Sequence, residues 1–308
     1  METTQTTTQQ DSLLERLFAH GHLLKTGVDG VYGRGGEMHD IIEAVDNYIT
    51  RFGRDGDTEV MMFPPVMSRA SVMKNGYMSS FPHLLGSIHA FTGNQQAYGA
   101  MMEDINSCCE WGHHLSMSDV VLTPAACYPI YPTLTGNLPE FGRLIEVASY
   151  CFRHEPSQDP ARMQSFRMHE FVRVGAPEVV QAWREGWIER AQQFLQNLGL
   201  TLHVTPANDP FFGAGGRLLK ANQKDQGLKF ELVVQINPND QDQGTAVISC
   251  NYHQDHFTSK YEIMTHDGQL AHTSCIGFGV ERIVLALLAT HGMKSSEWPA
   301  EVRKELWP

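Results

Sequence analysis

The segment CFRHEPSQDPARMQSFRMHEF (151–171) carries Arg153, Glu155, Arg162, Phe166 and Glu170. Arginine grips phosphate oxygens through a planar, bidentate fork, and an aromatic ring on a neighbouring strand can stack on a nucleobase. A surface hairpin laced with ion pairs is the ordinary alternative, and for a lone FRxE it would win. Here Arg153 and Glu155 at i, i+2 share one sheet face, and R-x-x-x-F-x-x-x-E follows, a combination rarer by chance. A second segment, GFGVERIVLALL (277–288), places Gly277 and Gly279 where the backbone can pass close to a ligand. Arg282 follows in the first turn of a helix. A cation beside the positive end of a helix is electrostatically misplaced unless an anion is there to receive it. The six cysteines (108, 109, 127, 151, 250 and 275) show no CxxC spacing. They read as thiols, with metal ligation or catalysis as the alternatives to disulfides. The 15 histidines cluster nowhere at ligand spacing, and none is assigned a role.

These side chains need strands to hold them. Residues 144–155 form a continuous apolar run suited to a central strand. SFRMHEFVRVG (165–175) predicts its antiparallel partner, with a loop over 156–164. A helix near 37–52 is marked by Met38, Ile41, Ile42, Val45, Tyr48 and Ile49, and TEVMMF (58–63) reads as a strand stopped by Pro64 and Pro65. SDVVLTP (118–124) is another strand, and a long amphipathic helix runs from Val179 to Leu198. LTLHVTP (200–206), LKFELVVQI, TAVISCNY and KYEIMT read as further strands, and the last helix opens after the glycines of GFGVER. Residues 66–115 give no readable pattern. Strands at the centre with helices around them, without regular βαβ alternation, predict an α+β fold on an antiparallel sheet.

At 308 residues, 42% hydrophobic, the chain supports one large domain over 13–308, with only residues 1–12 reading as disordered. No apolar run approaches the ~18 residues of a membrane helix, and no secretory pattern opens the chain. The cytoplasm is therefore the default location. A net charge of −12 argues against a broad nucleic-acid footprint, because phosphate backbones are held by clustered Lys and Arg.

Taken in order, three segments resemble the three motifs of class II aminoacyl-tRNA synthetases. The first is the helix from Met38 with the strand ending at Pro64–Pro65. The second runs from Phe152-Arg153 through Glu155, Arg162 and Phe166 to Glu170, and the third is Gly277 to Arg282. The resemblance spans roughly residues 35–290. It implies a homodimer and an antiparallel sheet binding ATP bent back on itself. In that arrangement Arg153 holds the α-phosphate, Glu155 the adenine amino group and Arg162 the γ-phosphate end. Phe166 stacks under the adenine, Arg282 covers its other face and the γ-phosphate, and the backbone at Met163 approaches the base. Glu231 matches the acidic residue that holds ATP-bound Mg²⁺, and Ser249 matches a serine of the seryl branch. A second acidic ligand is replaced by Ala246, which leaves the number of Mg²⁺ ions open.

The chain lacks the tRNA-binding domain that seryl enzymes carry before the first motif, so tRNA is not an expected partner. This pattern resembles the amino acid:[carrier protein] ligases, relatives of the atypical zinc-dependent seryl-tRNA synthetases. TPAACYPIYPTL (123–134) and HTSCIGFGVER (272–282) look like that family. The resemblance implies Zn²⁺ on Cys127, Glu170 and Cys275, with a fourth position for the substrate's amino group. It further implies activation of a small amino acid, glycine or alanine, as its adenylate. Transfer to the phosphopantetheine thiol of an acyl carrier protein would follow. A helical insertion near 207–227 presents Arg217, Lys220 and Lys224 at i, i+3, i+7, a basic stripe suited to the carrier; a solvated helix face is the equal alternative. Two other readings stand beside this one: adenylation with tRNA or a free amine as acceptor, and a non-catalytic paralogue that binds ATP or an amino acid.

Overall fold

A computed structural model describes residues 12–213, 223–224, 226–236 and 244–308. Its centre is a seven-stranded sheet. The strands are β1 (Thr58–Met61), β2 (Arg143–Phe152), β3 (Ser165–Gly175), β4 (Leu202–Pro206), β5 (Lys229–Val234), β6 (Thr245–Gln254) and β7 (His272–Gly279). Their spatial order is β4-β5-β6-β7-β3-β2-β1. Every pairing is antiparallel except the last, where β1 runs parallel to β2. The sheet is thus mixed rather than purely antiparallel, because β1 and β2 are joined by a long excursion and not by a hairpin.

Alternation along the strands sends one set of side chains to a helical layer. Helices α1 (Gly36–Gly53), α2 (Pro177–Asn197) and α3 (Val280–His291) cover that face. There Phe171, Ile248, Cys250, Ile276 and Phe278 join Ile41, Ile42, Trp187, Phe194 and Val284 in one core. Phe171 stacks on Trp187 with centroids 5.3 Å apart. Gly53, the last residue of α1, faces the same ring; a Cβ there would lie 2.2 Å from Phe171. The intervening residues (Val147, Cys151, Val172, Cys275) face the opposite side, where they pack with Cys127, Ile130 and Tyr131.

Three segments differ from the sequence reading. KYEIMT is no strand: Thr258–Tyr261 is a single helical turn and only Ile263–Met264 is extended. Phe257 and Tyr261, one turn apart, are both buried, and Glu262 turns the chain with φ 53°. A short apolar run cannot be assigned from periodicity alone, and the third strand of that region is instead β7. β2 ends at Phe152, so Arg153 and Glu155 lie in the following loop rather than on a sheet face. Residues 66–115 contain short strands (Val66–Ser68 and Ser87–Ala90), which pair with Ser116–Leu122, and short helices including Arg69–Lys74, Tyr77–Ser80 and Gln95–Asn106. Before α1, helix Leu13–Ala19 opens with a capping box between Ser12 and Glu15. Most of the expected helix at 214–227 lies outside the described residues.

A buried polar network ties α1 to the sheet. His169 hydrogen-bonds through both ring nitrogens, to Asp46 at 2.8 Å and Glu146 at 3.1 Å. Glu146 also accepts from Arg54 at 2.6 Å and Thr50 at 2.8 Å. Burial opposes ionisation of Glu146, but His169, Arg54 and Thr50 together hold its carboxyl at about 2. Burial likewise opposes the His169 cation, and Asp46 and Glu146 raise it nonetheless. A depressed carboxyl stabilises the fold above its ordinary value near 4.5 and loses that contribution as pH falls through about 2. A raised imidazole contributes below 6.5 and loses its contribution as pH rises. At pH 6 both act, so Glu146→Gln should lower the unfolding free energy by about 3 kcal/mol. Urea unfolding checks this; the deficit should shrink toward pH 2.

Candidate active site

The register of the sheet explains how distant residues meet. Glu231 pairs with Ser249, Ser249 with Gly277, and Gly277 with Glu170, forming one row across β5, β6, β7 and β3. The adjacent row on the same face holds Lys229, Asn251, Cys275 and Val172. Gly277 keeps the floor low: a Cβ there would come within 3.2 Å of Ser249 Oγ and 3.3 Å of Glu170 Oε1.

Above these rows lies a cavity of about 510 Å³. Cys127, Arg153, Glu155, Met163, Phe166, Glu170, Glu231, Ser249, Cys275 and Arg282 all line it. Arg162 does not; it is largely exposed and its side chain sits 3.7 Å from Asp159. Lys224 is exposed, while Arg217 and Lys220 lie outside the described residues.

Two arginines line the cavity among several carboxylates. Arg282 donates to the carbonyls of Ala161 at 2.8 Å and Ala246 at 3.0 Å, which aims its guanidinium from the first turn of α3 across the loop after β2. Arg153 lies over the Phe166 ring, 5.5 Å from its centroid, and donates to Pro124 O. Burial lowers Arg282 below the usual guanidinium range, and repulsion from Arg153 and Arg162 lowers it further. An arginine held in that setting beside a second one is a receptor for a polyanion.

The same cavity holds Cys127, Glu170 and Cys275, which are 2%, 3% and 2% exposed. Their ligand atoms lie within 4.8 Å of one another. The Cys127 N–H donates to Glu170 Oε2 at 2.5 Å, and Asn251 Nδ2 donates to Cys275 Sγ at 3.4 Å. The Cys127 thiol is held well above its usual range by its hydrogen bond with Cys275, by burial and by Glu170. Burial also raises Glu170. Two sulfurs and one carboxylate, each reluctant to ionise beside the others, suit a divalent ion such as zinc, whose charge lets all three lose their protons.

Several lining residues were not apparent in the sequence. Lys229 forms a buried pair with Asp209 at 2.6 Å and reaches Glu231 at 3.0 Å. Two-residue alternation would have placed Lys229 beside Glu231, but no local signal marks Asp209. Tyr128, His253 and Phe257 wall the cavity beside the cysteines. His253 Nε2 is 3.6 Å from Cys275 Sγ. Burial, followed by repulsion from His256, lowers its ring to about 3, so this wall is uncharged. Glu281, beside Arg282, is buried and anchors Arg34 at 2.6 Å and the Arg167 N–H at 2.7 Å.

Residues 119–291 match the tRNA synthetase class II core domain (G, H, P, S and T). Over 295 residues the chain is 43% identical to amino acid–[acyl-carrier-protein] ligase 1 of Bradyrhizobium diazoefficiens, covering 95% of this chain and 88% of that one. The type-2 serine–tRNA ligase of Methanococcus aeolicus is 27% identical over 193 residues, which are 60% of this chain and 37% of the relative. Among solved structures, the M. kandleri seryl-tRNA synthetase bound to tRNASec of A. aeolicus superposes with a TM-score of 0.80 at 21% identity. That match takes in 96% of this chain and 60% of the synthetase, and it bears on the fold alone. With the core domain matched over residues 119–291, more than half of the chain, and a carrier-protein ligase similar nearly end to end, the chain belongs to the amino acid–[acyl-carrier-protein] ligase family, built on the class II tRNA synthetase core.

Proposed function

We propose that this enzyme uses ATP to activate a small amino acid, glycine or alanine, as its aminoacyl-adenylate and passes it to the phosphopantetheine thiol of a carrier protein. The observation that carries this reading is a single cavity lined both by two arginines, Arg153 and Arg282, and by the Cys127–Glu170–Cys275 trio.

ATP lies bent against the two arginines. Arg153 takes the α-phosphate and Arg282 the γ-phosphate and one face of the adenine. Phe166 stacks on the other face, Glu155 accepts from the adenine amino group, and the backbone at Met163 approaches the base. Arg162, at the mouth, meets the γ-phosphate end. Glu231 would hold Mg²⁺, whose charge would offset that of the phosphates, and Ser249 pairs with Glu231 across the floor. Cys127, Glu170 and Cys275 would hold zinc, which would supply a Lewis-acidic position for the unprotonated amino group of the substrate. That anchor ignores the side chain, so selectivity falls to the volume that Tyr128, His253 and Phe257 bound.

The substrate carboxylate attacks the α-phosphorus and the bond to pyrophosphate breaks. Arg153 and Arg282 offset the charge that builds there, and positioning contributes most of the rest. The thiol sulfur then attacks the aminoacyl carbonyl, and AMP leaves. Arg217, Lys220 and the exposed Lys224 meet the acidic carrier, and tRNA is not an acceptor. Met62, 86% exposed, and Val60, 54% exposed, flank the free edge of β1 and favour a homodimer across it. The reaction belongs in the cytoplasm. All six cysteines are free, and among the described residues no helix is long and apolar enough to cross a membrane.

The similarity to a serine–tRNA ligase keeps tRNA as the second reading. Amino-acid-dependent ATP–pyrophosphate exchange, run across all twenty amino acids with zinc measured on the same sample, tests the first step. Glycine or alanine should dominate, and no exchange with any amino acid would leave only a binding paralogue. Incubation with holo-carrier, apo-carrier and tRNA then assigns the acceptor: labelled amino acid should appear on holo-carrier alone.

A further inference from the structure

Outside the active-site cavity, helix Gln95–Asn106 ends in a turn that doubles back into the short 3-10 helix Gly112–His114. The return is fixed by the Cys109 N–H, which donates to Asp104 O at 2.9 Å, and by Cys108, which adopts left-handed backbone at φ 56°. It brings two imidazoles onto one carboxylate oxygen. His114 Nε2 lies 2.7 Å from Asp104 Oδ2 and His113 Nε2 lies 3.4 Å from the same atom. The two rings are 4.0 Å apart. His114 makes the close hydrogen bond, and the second ring is held against the first with its Nε2 also turned to that oxygen.

We propose that Asp104, His113 and His114 form a second divalent-metal site, separate from the cysteine trio. Their ligand atoms lie within 4.8 Å of one another. A tetrahedral ion with bonds of ~2.0–2.1 Å spans such a set after small side-chain rotations. Two nitrogens and one oxygen favour zinc or a neighbouring transition metal over Mg²⁺ or Ca²⁺. None of the three residues lines the active-site cavity. The partial exposure of the set leaves the fourth position to water.

The fold gives the metal something to do. Helix Gln95–Asn106 has no buried residue, and an unsupported helix of that length is marginal in water. A metal bridging Asp104 to His113 and His114 clips its C-terminal end to the following turn. The clip also fixes the helix that carries Tyr98 and Ile105 and the turn that carries Trp111, all exposed apolar side chains.

The test uses tag-free full-length protein, stripped with chelator and dialysed against Zn²⁺, with bound zinc measured by atomic absorption. Wild type should hold one equivalent more than His113→Ala and one more than Asp104→Asn. His113 is 62% exposed, so its variant should fold. With Co²⁺ as the probe, His113→Ala should keep thiolate-to-metal charge-transfer absorption from Cys127 and Cys275, whereas Cys275→Ser should lose it. Hydrogen exchange in residues 95–106 should slow when Zn²⁺ is added to wild type, and should not respond in His113→Ala. Equal zinc content in wild type, His113→Ala and Asp104→Asn would overturn the site. Failure of the cysteine site alone is separable, because Cys275→Ser would then match wild type while His113→Ala still lost its equivalent.

Discussion

Replacing Arg282 with alanine should cut amino-acid-dependent pyrophosphate exchange by about a thousandfold, the scale of losing a preorganised cationic donor to a phosphoryl transition state. Stability should change by no more than about 1 kcal/mol, because the carbonyls of Ala161 and Ala246 that it pairs with can turn to water at the cavity wall. The two effects part company for an electrostatic reason. In the free enzyme the Arg282 charge is opposed by burial and by Arg153 and Arg162, so removing it relieves repulsion; the same charge becomes favourable when triphosphate enters. Arg282→Lys should recover little, because an ammonium cannot hold two carbonyls and also present a planar fork to an anion. Exchange in Arg282→Ala within threefold of wild type, with a normal melting temperature, would remove Arg282 from the reaction. Arg153→Ala should behave alike in exchange but melt lower, since Arg153 also covers the Phe166 ring and is surrounded by Tyr77, Cys151, Asp209 and Glu155.

What the sequence made legible was mostly local. The apolar stripe of α1 and the alternation in β3 are written in single segments, and the structure places both where the pattern does, β3 over Ser165–Gly175. What remained hidden depends on register. Nothing in LKFEL says that Glu231 will sit opposite Ser249, or that Ser249 will sit opposite Gly277; those pairings exist only once β5, β6 and β7 are assembled. The cysteines illustrate the limit. Cys127, Cys250 and Cys275 look alike as isolated buried residues, and the family resemblance, not spacing, singled out the first and last. In the sheet, Cys250 points into the helical core and Cys275 into the cavity. The misread KYEIMT fails for the converse reason. Its apolar residues satisfy a one-turn helix as well as a strand, and the buried Thr258 hydroxyl, which donates to Ala271 O at 2.5 Å, decides between them through a partner in the following loop.

That difference between the two cysteines sets up the second large effect. Cys275→Ser should lower zinc affinity by at least about a hundredfold, since even loss of a residue that only orients a ligand reduces affinity ten- to a hundredfold. Exchange should fall by a similar factor or more, because the amino group of the substrate loses its anchor and the carboxylate its aim. ATP binding should survive within about threefold: the phosphates are assigned to Arg153 and Arg282, and the row that bears Glu231 and Ser249 does not include Cys275. Cys250→Ala is the matched control, since its side chain faces the helical core and its loss should reduce stability by about 1–2 kcal/mol without changing the zinc of the cysteine trio. The readouts are zinc content, nucleotide binding by calorimetry and exchange rate on the same preparations. Were Cys275→Ser to retain both its zinc and its exchange, the amino group would have to be held elsewhere in the cavity. Undiminished exchange after zinc is lost would instead show that the trio is structural and that the amino group is not held through a metal there.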